Sequence, residues 1–174
     1  MKLRVCWLAA VGMLAGAVAL STNVSRAEKD PAVPLFLNKV PPGYRDWRLI
    51  SVAREEGALD DIRAILGNSK AIKSYRDGRS PFPEGVIIAR LAWSYDSSEE
   101  NNEVFGRPQS FVAGHPKNGV QFMLKDSRKY AATGGWGFAH FDDGKSADEA
   151  MLKTCFPCHQ AVASRDFVFT RYAR

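Results

Sequence analysis

Val86-Ile87-Ile88-Ala89-Arg90-Leu91-Ala92-Trp93-Ser94-Tyr95 is the stretch whose reading decides the fold. β-branched and aromatic residues recur through it, which fits a half-buried strand better than a helix. The rigid turn Pro81-Phe82-Pro83-Glu84-Gly85 leads into it. Upstream, Asn68 caps a helix over 69–77 that stops at Gly78, with Ala71, Ile72 and Tyr75 on one apolar face. Before that helix come two more short strands, 47–53 and 62–66, parted by a break at 57–61.

Downstream, residues 96–109 are rich in Glu and Asn and predict a solvent loop. Residues 110–113 and 120–124 read as two strands joined through Gly114-His115-Pro116. Asp126 caps a short helix containing Tyr130, and Gly134-Gly135 turns into an aromatic strand, 136–141. Ser146 and Glu149 form a capping box that opens a helix over 147–155. Residues 166–172 predict a final strand. Short strands at close spacing, without a helix between every pair, exclude a parallel sheet. The expected class is α+β: a mainly antiparallel β-sheet with a few short helices.

The chain begins as an export signal. Lys2 and Arg4 form a positive head, residues 5–20 carry no charge, and Ser25-Arg26-Ala27 offers small residues at a cleavage site. The uncharged run is shorter than the ~20 residues that span a bilayer comfortably. Three segments follow: a signal peptide at 1–27, an extended lead-in at 28–41 with several prolines, and one domain at 42–174. Cleavage removes Lys2, Arg4, Arg26 and no acid, so the net charge falls from +5 to +2. That small excess gives no reason to invoke nucleic acid, and the cleaved protein has no membrane segment. The expected location is the periplasm.

Cleavage also removes Cys6 and leaves Cys155 and Cys158. Cys155-Phe156-Pro157-Cys158-His159 is C-x-x-C-H, the attachment sequence of a c-type haem. Two thiols so spaced can form thioethers to the two vinyl groups of one haem, and the next imidazole can bind its iron. A disulfide oxidoreductase would carry its pair at the start of a helix near a βαβ unit. A structural zinc site needs four ligands, and only His115 and His140 are left to complete one. A simple disulfide leaves His159 without a reason. The expectation is one haem c per chain, held by Cys155, Cys158 and His159, with His159 on the metal. The sixth iron position decides between electron transfer and ligand binding. Its candidates are Met123, Met151, His115 and His140, and none is persuasive from sequence.

Tyr44-Arg45-Asp46-Trp47, Ile62-Arg63, Pro83-Glu84-Gly85, Lys125-Asp126-Ser127 and Gly135-Trp136-Gly137-Phe138 precede the haem motif in that order. Asp166-Phe167-Val168-Phe169-Thr170-Arg171-Tyr172 follows it. Together these resemble the cytochrome P460 family, which includes the β-sheet cytochromes c′, over nearly all of the cleaved chain. The resemblance implies a mostly antiparallel β fold, a five-coordinate haem c with His159 as proximal ligand, and a homodimer. It divides by activity. P460 proper oxidises hydroxylamine and carries a bond from a lysine to the haem ring. The cytochromes c′ of this fold bind nitric oxide or carbon monoxide behind an aromatic distal cap.

The cross-linking lysine of P460 proper sits in a G-x-x-x-x-K setting after the P-x-G turn, and the matching stretch ends in Arg90. A guanidinium keeps its proton and is a poor nucleophile. Lys70 and Lys73 are close in sequence but fall on the expected helix. Gln121 stands at the best match for the distal carboxylate, and an amide is no general base. The resemblance therefore implies a protein that binds nitric oxide or a related nitrogen oxide and exchanges electrons with a periplasmic redox partner. The alternatives are a hydroxylamine-oxidising oxidoreductase and a plain electron-transfer cytochrome c. Phe82 is a candidate for the aromatic cap.

Overall fold

A computed structural model describes residues 39–174. The expected signal peptide and residues 28–38 of the lead-in lie outside the described residues. Six strands form one antiparallel sheet in sequence order: β1 Arg48–Glu55, β2 Asp61–Gly67, β3 Ile87–Ser97, β4 Phe111–Lys125, β5 Trp136–Asp142 and β6 Lys145–Ser146. The α-helices are α1 Ser69–Arg76, α2 Glu99–Phe105, α3 Glu149–Lys153 and α4 Cys155–Gln160. The expected α+β class, dominated by antiparallel β, is what the chain adopts. No helix among the described residues is long and apolar enough to cross a membrane.

Strand alternation gives the sheet two buried faces. On one, Ile65, Ile88, Trp136 and Phe138 pack under Ala71 and Ile72 of α1, with Phe82 and Val168. On the other, Leu66, Ala89, Phe122, Ala139 and Phe141 lie under Val40, Tyr44 and Trp47 from the segment before β1. Burying both faces explains why β5 has no exposed residue until Asp142. Gly67 makes the first packing possible: a Cβ there would come 2.7 Å from both Ala71 Cβ and Ile50 Cδ1. Asn68 caps α1 as expected. Its side-chain oxygen accepts from Ala71 N at 2.9 Å, and its amide donates to the Gly85 carbonyl.

Several expectations are corrected. Within the expected solvent loop, β3 continues to Ser97 and α2 then forms. Glu99 and Glu100 lie in its first turn, where acids favour a helix N-terminus, and Gly106 closes it at φ 67. Gly114-His115-Pro116 is not a connection. β4 runs through it as one strand. The irregularity is absorbed in register: Leu91 pairs with Val120 but Trp93 with Pro116, so β4 spends four residues where β3 spends two. Asn118 and Gly119 supply the positive φ that such a bulge needs. Proline sits there because it has no N–H to give a ladder.

Asp126 caps a turn rather than a helix containing Tyr130. Its carboxylate accepts from Arg128 N and Lys129 N, and a 3-10 turn, Ala131–Thr133, starts after Tyr130. Asp148, not Ser146, caps α3 by accepting from Met151 N at 2.9 Å. The expected single helix over 147–155 is two helices. Pro157 lies in the first turn of α4 and has no N–H for the Lys153 carbonyl, so the ladder breaks between α3 and α4.

The expected last strand is absent. Asp166 and Phe167 both have positive φ, 51° and 63°, and no strand forms beyond them. Tertiary contacts override the β-prone composition there. Asp166 accepts from Lys125 Nζ at 2.6 Å and from Phe82 N at 2.7 Å. The Ala173 N–H bonds to the Ile50 carbonyl.

Candidate functional site

The C-x-x-C-H motif is itself a helical turn. α4 begins at Cys155, so Cys158 and His159, three and four residues on, share its face. Cys155 and Cys158 are both free thiols, Cys155 half-buried and Cys158 exposed. Burial raises the Cys155 pKa, with Cys158 pushing the same way. His159 packs its ring 5.0 Å from Phe138 of β5 and 5.2 Å from Phe169. The motif therefore lies against the sheet face that α1 covers.

His159 is oriented by a backbone carbonyl. Its Nδ1 lies 2.7 Å from Phe167 O. A carbonyl oxygen only accepts, so Nδ1 carries the proton and Nε2 keeps a free lone pair. Metal-binding histidines are commonly fixed in this way. Burial lowers the His159 pKa while the bond to Phe167 opposes the shift. Phe167 reaches this position through its left-handed backbone, and Gly134 has no side chain to block its ring. Both thiols free on the same helix face as a neutral imidazole with Nε2 open is a donor set that fits a covalently held haem c. No group of three or more His, Cys, Asp or Glu among the described residues is gathered to hold a bare metal ion. The zinc arrangement with His115 and His140 is therefore not formed.

The same sheet face carries a polar row one strand-step from Phe138. Arg90 pairs directly with Gln121, and Gln121 pairs with His140. Sequence reasoning picked out all three singly, and the register makes them neighbours. Asp61 was missed. It is fully buried and grips two guanidiniums. Arg63 binds it through two bonds of 2.7 and 2.8 Å, and Arg90 Nη2 reaches it at 2.6 Å. The sequence signal was an acid two residues from Arg63 at the head of a strand, which reads equally well as solvated. Arg90 Nη1 is buried with no hydrogen-bond partner. Burial lowers the Arg90 pKa and Arg63 adds to this, while Asp61 opposes it. His140 is buried, and burial lowers its pKa, with Asp142 opposing and Arg90 reinforcing the shift.

The remaining candidates are dispersed. Met123 is half-buried on the same face, between Ile88 and Phe138. Met151 and His115 are exposed. Lys70 donates to the Glu84 carbonyl, and Lys73 pairs with Asp77 on the surface. Phe82 is buried edge-on to Trp136 and Tyr75, with ring centroids 5.8 and 5.0 Å away.

No curated protein matches the chain. Residues 41–170 match the profile of the family described as Cytochrome P460, which is most of the chain and contains both the motif and the polar row. The order of segments, the antiparallel sheet and the motif are thus accounted for together: the chain belongs to the cytochrome P460 family.

Proposed function

We propose that this c-type cytochrome is exported to the periplasm and binds nitric oxide or a related small nitrogen oxide at an open iron position. Membership of the family brings haem c binding with it. Bound haem c supplies an iron that takes a small sixth ligand. Cys155 and Cys158 would hold one haem per chain, and His159 would meet the iron through Nε2. Phe138 and Phe169 pack against that imidazole on two sides.

The observation that carries the reading is the direct pairing of Arg90 with Gln121. Neither a nucleophilic amine nor a free carboxylate stands in this pair. The nearby carboxylate, Asp61, is buried and both of its oxygens are engaged by the guanidiniums of Arg63 and Arg90. The row is built to hold a ligand by charge and hydrogen bonding rather than to deprotonate a substrate. The exposed apolar residues Val104, Phe105, Phe111 and Val112 support the reading of a homodimer.

Reduced protein titrated with carbon monoxide and nitric oxide tests the open position. A rapid Soret shift at stoichiometric ligand is expected, and no shift would establish a plain electron carrier instead. Mass spectrometry of the haem peptide should show attachment at Cys155 and Cys158 and none at Arg90. Fast steady-state hydroxylamine oxidation with an artificial acceptor would place the protein with the hydroxylamine-oxidising members. A mature N-terminus at Glu28 in a periplasmic extract checks the export signal.

A further inference from the structure

A groove of about 670 Å³ lies between the C-terminal end of α1, the turn that leads to Phe82, and the segment after α4. Arg76 and Arg79 stand on one wall, and Arg165, Arg171 and Arg174 on the other. All five are exposed, and no Asp or Glu side chain lines the groove. Arg76 Nε donates to the Tyr172 hydroxyl at 3.1 Å, and Arg165 reaches the Phe169 carbonyl. The acids next to lining arginines are already paired: Asp77 with Lys73 at 2.8 Å and Arg79 at 3.5 Å, and Asp166 with Lys125 at 2.6 Å. Arg171 and Arg174 form no ion pair among the described residues. After signal cleavage the chain carries a net charge of only +2, so five cations here are a local concentration and not a general property of the surface.

The groove also touches the structure that supports the haem motif. Phe82 and Val168 line it and belong to the core cluster on which Cys155, Phe156 and Phe167 pack. Val168 follows the residue whose carbonyl orients His159, and Phe169 lies against that imidazole. Whatever binds in the groove is one packed layer from the proximal side of the site.

We propose that this groove is the docking site for an acidic one-electron redox protein. The arginines are spread along both open rims and do not converge on a buried polar pocket, which suits a protein surface better than a small desolvated anion. Charge complementarity of this kind speeds encounter more than it tightens the complex. The step is one electron: the partner is oxidised by one electron, the haem iron passes from ferric to ferrous, and no proton or bond changes hands. The proposal rests on the chain carrying a redox-active haem c.

Stopped-flow reduction of the ferric holoprotein by reduced plant-type [2Fe–2S] ferredoxin, an acidic donor, tests it. The second-order rate should fall steeply between about 20 and 200 mM salt, as screening shortens the reach of the charges. Arg171→Glu with Arg174→Glu should slow the reaction by at least about tenfold at low salt and far less at high salt. Reduction by dithionite and the carbon monoxide spectrum should be unchanged in that variant. Equal ferredoxin rates in the two proteins, or no salt dependence, would overturn the docking site. Tight, Arg171-dependent binding of pyrophosphate by calorimetry would also overturn it, in favour of a small-anion site. A wild-type protein that binds no carbon monoxide would count against the ligand-binding reading and leave the groove's result to stand separately.

Discussion

Asp166 shows how much one side chain can decide here. Its carboxylate receives Lys125 Nζ and Phe82 N, and both members of the ion pair are nearly inaccessible. Lys125 also sits 5.0 Å over the Trp136 ring. Replacing Asp166 with Ala strands a buried cation, which typically costs about 3–5 kcal/mol. Urea unfolding of the Asp166→Ala protein should show a loss of that size. Pairing it with Lys125→Met should recover part of the loss. His140 makes a second prediction. Its folded pKa lies below the unfolded value of about 6.5, chiefly through burial. The unfolded chain therefore binds the proton first as the pH falls. Stability from this group is complete above about 6.5 and is lost as the pH drops through the lower folded value. Denaturation midpoints at pH 7.5 and 5.5 should differ, and His140→Gln should shrink the difference. An unchanged gap would assign it to other groups.

Among the elements, α3 carries the clearest test of a misread signal. Ser146 and Glu149 match a capping box in sequence, yet the cap in place is Asp148. Ser146 is held in β6, paired with Phe141, and its hydroxyl donates to the Ala147 carbonyl. Asp148→Ala should cost about 1 kcal/mol. Ser146→Ala should stay within about 0.5 kcal/mol, as surface changes do. Thermal melts of the two variants decide between them. The same contrast explains what was legible. α1 could be read because Asn68, its apolar face and Gly78 agree locally. β3 and β5 could be read because burial on both faces demands β-prone apolar runs. α2 was missed because it has no buried face, although its acids and Gly106 were visible. The last segment was misread because the contacts that bend it, Lys125 and the His159 ring, lie far away or on another element. In the site, the motif was plain and Arg90 and Gln121 were identified singly. Their pairing needed the register, and Asp61 needed its burial.

At the scale of the molecule, apolar side chains lie open around the motif. Met151 and Phe169 are 46% and 49% exposed, and Phe156 is only half-buried. A covalently held haem would cover apolar surface of this kind. The Cys155→Ala, Cys158→Ala protein should therefore melt lower than the haem-loaded one by roughly 10 °C, equivalent to about 3 kcal/mol in a domain of this size. Equal midpoints by calorimetry would refute that dependence. The sheet itself asks nothing of the motif, because each strand pairs with its neighbour in sequence and the last ladder closes at Ser146. That order has a consequence in time. A chain threading outward from its N-terminus can complete all six strands before Cys155 arrives. Cys155 then emerges on a short tether beside a paired sheet, and Phe167, whose carbonyl meets His159 Nδ1, emerges after the motif it orients.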